Sequence, residues 1–376
     1  MKELFESYCK RAAECYSQGY MEKAIDFYLL ALDISDNNPD LYNNLGSAYD
    51  NLEKREEALN CYNKALALDP QNARAWYNLG LTLYNMGNAE KAINAYGEAL
   101  KINPDYYSAW FNLGVAYIAA QHYLPAVECF EKTTAQRPEE SNGWFNMALA
   151  WEKAGNRDEA QPCFEKAISL NPEDSVAFYH LGNIWVNKGD VDRALNCFAE
   201  SARLKPDFVS AQNNLAVAWE RKGDYKKAVE FFKIAVRLDP NDYELQQNLG
   251  FNYERLGMWQ EALPHYQKSA ELSPGNAFMH NNIGFCFLRT GKINEAMPDF
   301  QKALELGLKD YANMNLGHCC LIRKDEAGAL RHYNESKRNF ADKMLFQHSM
   351  EDDYKALAVY GISEEYYRAV LRKIDK

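Results

Sequence analysis

The sequence predicts an all-α chain folded as a solenoid of about ten helix–turn–helix repeats. Three observations carry this prediction: a period of 34 residues, small residues at two fixed positions of each period, and glycine and proline where helices should end. Counted from the first residue after each turn, the repeats begin near residues 5, 39, 73, 107, 141, 175, 209, 243, 277 and 310. We expect this array to fill residues 1–343.

Small and large residues alternate in a way that predicts closely packed helix pairs. The eighth position is glycine or alanine in nine consecutive repeats, from Gly46 to Gly317, and the twentieth is alanine in all ten. The twenty-fourth position is always tyrosine or phenylalanine, from Tyr28 to Tyr333. Small residues set a short distance between two helices, and rings fill the space that remains.

Glycine and proline divide each period into two helices. The fifteenth position is glycine in seven repeats, as in Gly87, and glycine suits a left-handed turn between helices. The thirty-second position is proline in seven repeats, as in Pro104, and proline ends the second helix because it lacks an N–H donor. Each repeat therefore reads as helix, turn and helix.

This pattern of small, aromatic and proline positions resembles the tetratricopeptide repeat family. The resemblance implies antiparallel helix pairs stacked into a right-handed superhelix, with a concave groove lined by the first helix of each repeat. The ninth repeat departs from the pattern, since Leu308 stands in place of proline and one residue is missing. Residues 344–376 lose the period and predict two capping helices divided by Gly361, the second beginning at Ser363.

The sixth position of the repeats predicts a binding site. It carries asparagine in eight repeats and histidine in one: Asn44, Asn78, Asn112, Asn146, His180, Asn214, Asn248, Asn282 and Asn315. Asparagine is a poor helix former, so its recurrence inside a helix needs another reason. In the family's geometry this position faces the groove, where a carboxamide can pair with the main chain of a bound polypeptide. The row is similar to that of the repeat region of O-GlcNAc transferase, whose asparagines hold the backbone of polypeptides.

Two further sets of residues flank this row. Aromatic rings occupy the fifth position in Tyr77, Phe111, Phe145 and Tyr179, and arginines occupy the thirteenth in Arg221, Arg255 and Arg289. The rings are expected either to contact an amphipathic partner or to pack between neighbouring first helices. The arginines are expected either to hold acidic groups of a partner or to form a solvated stripe compensated by Glu220 and Glu254.

Composition argues against other classes of protein. A net charge of −11 disfavours binding to nucleic acid or to an anionic membrane surface. The amino terminus lacks the apolar core of a signal peptide, and nine cysteines without metal-ligand spacing indicate free thiols in a reducing compartment. We therefore expect a cytoplasmic location and no membrane insertion.

No catalytic motif is present in the sequence. It contains no glycine-rich phosphate loop, no Ser-His-Asp signature and no His-Glu-x-x-His. The "HCC" run at 318–320 is a weak metal signal, because consecutive helical residues point in different directions. The sequence therefore predicts no enzyme activity, no cofactor and no metal.

The predicted function is a scaffold or adaptor that binds extended or helical polypeptide segments in its groove. One alternative is a regulatory or targeting subunit of an enzyme complex. Another is self-assembly into a homo-oligomer, in which the 344–376 helices of one copy enter the groove of a second.

Overall fold

The computed structural model describes residues 1–374, and within that range the chain forms twenty-two α-helices and no β-strand. This architecture confirms the all-α prediction. The first helices of the repeats are α1 Lys2–Ser17, α3 Pro39–Asn51, α5 Ala73–Asn85, α7 Tyr107–Ala119, α9 Ser141–Lys153, α11 Ser175–Asn187, α13 Val209–Arg221, α15 Tyr243–Arg255, α17 Ala277–Arg289 and α19 Tyr311–Ile322. The second helices are α2 Met21–Ile34, α4 Arg55–Leu68, α6 Ala89–Ile102, α8 Tyr123–Gln136, α10 Arg157–Leu170, α12 Val191–Leu204, α14 Tyr225–Leu238, α16 Trp259–Leu272, α18 Ile293–Glu305 and α20 Glu326–Asn339. Helices α21 Lys343–Ala358 and α22 Glu364–Leu371 follow them.

The chain divides into two compact halves, Met1–Ile184 and Trp185–Lys376. In the amino-terminal half, consecutive helices pack in pairs from α1 with α2 to α9 with α10. In the carboxyl-terminal half, the pairs run from α13 with α14 to α19 with α20. The second helix of a pair also packs against the next first helix, as α6 does against α7 and α16 against α17.

The close approach within each pair rests on the eighth-position glycine. A Cβ atom added at Gly114 would lie 2.7 Å from Cζ of Phe130, the twenty-fourth-position ring of the same repeat. The same relationship joins Gly80 to Tyr96, also at 2.7 Å. These two rings are fully buried, so each of these two pairs is held by a ring packed directly on glycine backbone, whereas two other repeats have Ala148 and Ala216 at this position.

Helix ends follow the sequence signals. The side chain of Asn72 accepts a hydrogen bond of 3.0 Å from the Ala75 main-chain N–H and so caps α5. Gly87 has a φ of 80°, the left-handed conformation that ends a first helix. In three repeats this fifteenth position is not glycine, yet Glu53, Gln121 and Lys324 adopt φ values of 59°, 63° and 65°.

The last helices depart from the paired pattern. Every residue of α19 from Ala312 to Leu321 is buried, and α21 packs against both α19 and α20. Ser363 caps α22, because its hydroxyl accepts a hydrogen bond of 3.2 Å from the Tyr366 N–H. No helix in the described part of the chain combines the length and apolar character needed to cross a membrane.

Candidate functional site

Within each half of the chain, the sixth-position residues recur at the same place on successive first helices, and we call the surface that they form the amide face. In the amino-terminal half it carries the four asparagines Asn44, Asn78, Asn112 and Asn146 and the histidine His180, and all five side chains are part-exposed. A depression of about 280 Å³ opens on this face, lined by Asn44, Asn78 and Arg74 among others. These side chains are partly exposed, so their polar atoms can form hydrogen bonds with a polar group of a bound molecule.

Neighbouring repeats orient these carboxamides. The side-chain amide of Asn112 donates to the Tyr77 hydroxyl at 2.9 Å, and Tyr77 is the fifth-position residue of the preceding repeat. The carboxamide of Asn78 lies 2.9 Å from that of Asn43, the fifth-position residue before it. A fifth-position acceptor therefore fixes the following sixth-position amide. Each such contact uses part of a group that has two donors and an acceptor oxygen.

Where the preceding fifth position is phenylalanine, no such acceptor exists. Asn146 follows Phe111 and instead donates to the carbonyl oxygen of Asn142 in its own helix, at 2.9 Å. His180 follows Phe145 and meets that ring edge to face, with centroids 6.1 Å apart. Its Nδ1 lies 2.7 Å from a carboxylate oxygen of Glu152. His180 is thus packed into the scaffold more firmly than the asparagines.

The carboxyl-terminal half carries the rest of the row. Asn214 accepts a hydrogen bond of 3.1 Å from Asn213, and Asn282 lies beside the Tyr266 hydroxyl. Among the described residues, the Asn248 carboxamide has no hydrogen-bond partner, and its side chain is part-exposed. It is therefore the most available amide of this half.

Asn315 differs from the other asparagines of the row. Its side chain is only 3% exposed, and it donates to the Asn281 carboxamide at 2.9 Å. Its oxygen has no hydrogen-bond partner among the described residues. A depression of about 250 Å³ adjoins it, lined also by Asn282, Phe285 and Ser349 of α21.

The fifth-position rings both pack and remain accessible. Tyr77, Phe111 and Phe145 each contact the twenty-fourth-position ring of their own repeat, with centroids 5.8 Å apart in every case. All three, and Tyr179, are part-exposed. Burial raises the pKa of the Tyr77 hydroxyl, so it stays a neutral acceptor for Asn112. These rings therefore pack against the scaffold, and their contact with a partner stays a prediction.

Apolar exposure is larger in the carboxyl-terminal half. Phe251, on the same helix as Asn248, is 38% exposed. Phe285, on the same helix as Asn282, is part-exposed and meets Trp259 edge to face at 5.6 Å. Carboxamides and phenyl rings thus alternate on this part of the amide face.

The three arginines are the last residues of helices α13, α15 and α17. Two of them contact aromatic rings. The Arg255 guanidinium lies 5.1 Å from the ring centre of Tyr225 and donates to its hydroxyl at 3.2 Å. Arg289 lies 4.8 Å from the ring of Trp259. Arg221 is exposed. Stacking on a ring keeps the charge of a guanidinium, so Arg255 and Arg289 can still face an acidic group.

Part-buried carboxylates at the twelfth position accept hydrogen bonds inside the repeats, a feature that the sequence analysis missed. The Tyr62 hydroxyl donates to Asp50 at 2.9 Å, Thr82 also donates to Asp50, and the Tyr266 hydroxyl donates to Glu254 at 2.6 Å. Burial raises the pKa of both carboxyl groups. The recurrence of an acid at the twelfth position, opposite a twenty-fourth-position tyrosine, was the available signal.

The described residues give no sign of a disulfide or of a metal site. All nine cysteines are free thiols, and burial raises the pKa of Cys61 to about 11 and that of Cys129 to about 12. Among the side chains that the structure describes, no group of histidine, cysteine, aspartate and glutamate is arranged to hold a metal ion.

Comparison with known families gives matches along most of the chain. Residues 78–282 match the model described as the cilia and flagella-associated protein 70 C-terminal domain. Residues 12–52 and 51–87 match the TPR repeat model, and residues 279–306 match the tetratricopeptide repeat model. No protein with a curated description matches the sequence.

Three solved structures are among those that match the chain. MamA is 28% identical, with 47% of this chain and 96% of that chain covered and a TM-score of 0.43. YrrB, described as a TPR protein with an unusual peptide-binding site, is 26% identical, with 49% and 94% covered and a TM-score of 0.43. A tetratricopeptide repeat protein from Parabacteroides merdae is 22% identical, with 66% and 99% covered and a TM-score of 0.48.

Proposed function

Since the chain belongs to the tetratricopeptide repeat family, we propose that it is a scaffold that binds a polypeptide segment along its amide face. Proteins of this family generally act in protein–protein interaction. In this proposal the sixth-position carboxamides contact the main chain of the partner.

One observation carries the proposal: part-exposed carboxamides with unused hydrogen-bonding capacity lie beside part-exposed rings. Asn112 and Asn146 each donate one hydrogen bond to the scaffold, and the Asn248 carboxamide donates none to the described residues. A carboxamide that keeps a donor and an acceptor can pair with one main-chain amide of a partner, whatever the partner's side chains. The face therefore suits recognition of a polypeptide through its backbone.

The magnitudes indicate that the rings must contribute too. A hydrogen bond adds about 1 kcal/mol net, so four carboxamides supply about 4 kcal/mol. A dissociation constant of about 1 μM needs about 8 kcal/mol. The difference must come from apolar burial, and Phe111, Phe145 and Phe251 offer such surface beside the amides. The proposed partner segment therefore carries apolar side chains, and we assign no reaction to the complex.

The test compares two triple variants of the full chain. Asn112, Asn146 and Asn248 are changed together to alanine, and the matched control changes Asn60, Asn94 and Asn196, which are exposed on second helices. Each immobilised protein captures polypeptides from a native cell extract, and the amounts are quantified by mass spectrometry. We expect the first variant to lose the captured partner and the control to retain it.

The size of the effect follows from the same estimate. Loss of three carboxamide contacts costs about 3 kcal/mol, which corresponds to roughly a hundredfold in the dissociation constant. Thermal melting of both variants shows whether the fold is intact. Equal capture by the two variants, with both folded, would refute the proposed role of the amides.

A further inference from the structure

Helix α21 covers the end of the amide face in the carboxyl-terminal half. Its residue Ser349 lines one depression together with Asn282, Asn315 and Phe285. Asn315 is buried, whereas the other asparagines of the row are part-exposed. The chain's own helix therefore lies where a partner would have to bind to reach the ninth and tenth repeats.

One side of α21 makes this contact. Phe346, Met350 and Leu357 are buried and belong to one apolar cluster that also contains Met314 of α19. Their spacing of four and seven residues places them on one face of a helix. An apolar row on a helix is thus already bound to the first helix of the tenth repeat.

The end of α21 reaches a second first helix. The hydroxyl of Tyr360, just beyond α21, donates to the main-chain oxygen of Leu288 in the last turn of α17. Tyr360 also packs against the cluster that contains Leu288 and Phe300. The segment from Lys343 to Tyr360 therefore contacts both first helices that carry Asn282 and Asn315.

Two open pockets lie beside the buried face of α21. A cavity of about 290 Å³ adjoins Phe346 and Met350, and another of about 410 Å³ adjoins Tyr354 and Tyr367. In the first turn of α21, Met344 is 76% exposed and Leu345 is 46% exposed. These pockets open to solvent beside buried side chains of α21 and α22, so the contact that α21 makes leaves surface beside it uncovered.

We propose that α21 is a resident ligand of the amide face, and that the partner segment which binds α17 and α19 is an amphipathic helix that displaces it. The inference rests on the proposed function, because it supposes that a polypeptide binds this face. The surface that α21 covers accepts large apolar side chains four and seven residues apart and a hydroxyl at Leu288. A competing helix with the same row fits that surface.

Displacement has a measurable consequence for affinity. A ligand of an occupied site binds with an apparent affinity reduced by the fraction of molecules in which the site is open. Loosening α21 should therefore strengthen the binding of a competitor, although no contact with the competitor has changed.

The experiment uses a fluorescein-labelled peptide of residues 342–361 as the probe and three full-length proteins. They are the unmodified chain, Met350→Ala, which removes a buried contact of α21, and Met344→Ala, which shortens an exposed side chain on the same helix. Fluorescence anisotropy measures the dissociation constant of the peptide. We expect Met350→Ala to bind it at least about tenfold more tightly than the other two proteins.

Hydrogen exchange of the same proteins supplies the second measurement. In Met350→Ala, the amides of α21 should exchange faster while those of α17, α19 and α20 stay protected. Equal peptide affinity in all three proteins overturns the inference, as does loss of protection in α19 and α20 together with α21. Should Met350→Ala fail to fold, α21 is an integral part of the core and the inference fails. Tyr360→Phe, which removes the hydroxyl that bonds to the main chain of α17 and the turn after it, gives an independent check by the same two measurements.

Failure of this inference is distinguishable from failure of the proposed function. The triple change at Asn112, Asn146 and Asn248 leaves α21 and its binding surface unaltered. Reduced capture by that variant, with no effect of Met350→Ala, would keep the scaffold function and remove the resident-helix proposal. Peptide binding that responds to Met350→Ala, with unaltered capture by the triple variant, would keep the resident-helix proposal and remove the proposed role of the carboxamides.

Discussion

The side-chain amide of Asn112 donates a hydrogen bond of 2.9 Å to the hydroxyl of Tyr77, which lies 35 residues earlier in the preceding repeat. Asn315 makes the corresponding bond of 2.9 Å to Asn281, 34 residues earlier. The amide row is thus partly built from contacts between repeats. In part-exposed Asn112, one donor of the carboxamide holds its orientation, and the other donor and the oxygen keep their capacity for a partner.

The first prediction concerns this pair. Tyr77→Phe removes the acceptor, and Asn112→Ala removes the donor, so a double-mutant cycle in urea denaturation should give a coupling free energy of about 0.5–1.5 kcal/mol. A coupling near zero would mean that the bond does not form in solution. The cycle Phe111→Leu with Asn146→Ala provides the comparison, because Phe111 offers no acceptor and Asn146 bonds within its own helix.

A second prediction concerns Gly114, the eighth-position glycine against which the Phe130 ring packs. Gly114→Ala places a methyl group against the Phe130 ring and should lower the free energy of unfolding by roughly 1–3 kcal/mol through overpacking. Gly97→Ala is the matched change, because no atom lies within 4 Å of a Cβ added there and Gly97 is inside α6. It should stabilise the protein by about 0.5–1 kcal/mol through helix propensity. The urea midpoints of the two variants should move in opposite directions.

A third prediction concerns the turn after α7. Gln121 adopts a φ of 63°, where a side chain is strained and most repeats have glycine. Gln121→Gly should therefore raise the free energy of unfolding by about 0.5–1 kcal/mol. The neighbouring change Ala120→Gly, at a φ of −81°, relieves no strain and should lower it by a similar amount. Stabilisation by neither or by both glycines would contradict the strain argument.

A fourth prediction concerns the pH dependence of stability. Burial lowers the pKa of His265 from its ordinary value of 6.5, and its Nδ1 lies 2.8 Å from the Gln246 carboxamide oxygen. Below pH 6.5 the unfolded chain therefore binds more protons than the folded chain. The contribution of neutral His265 to the free energy of unfolding is fully present above that pH and is lost as the pH drops through the folded pKa. His265→Gln should reduce this slope. Thermal melting between pH 8 and pH 5 measures it, and an unchanged slope would exclude His265 as a source.

Much of the fold could be predicted from the sequence because it depends on local repetition. The pairing of Gly114 with Phe130 lies within one repeat, and the turn at Gly87 depends on a single residue. A period of 34 residues brings the same two chemical types together in every repeat. For that reason the all-α architecture and the tetratricopeptide repeat family were accessible from the sequence alone.

The partners of the amides could not be predicted in the same way. Whether Asn112 meets Tyr77 depends on how one repeat is placed against the next, and the period does not specify that placement. The acid at Asp50 was missed because an acid at the twelfth position coincides with a twenty-fourth-position tyrosine in only two repeats, so the period does not reveal the pair. The position of α21 was inaccessible because residues 344–376 have no repeating pattern that would fix their neighbours.

The most direct test of the account is photo-crosslinking from the amide face. Benzoylphenylalanine is placed at position 111 or position 251, in the amide face, and at position 124, where Leu124 is 54% exposed on the second helix α8. The labelled proteins are irradiated in a native cell extract, and the adducts are identified by mass spectrometry. We predict that positions 111 and 251 crosslink to one polypeptide partner and that position 124 does not. A partner that crosslinks only from position 124 would contradict the claim that the amide face binds it.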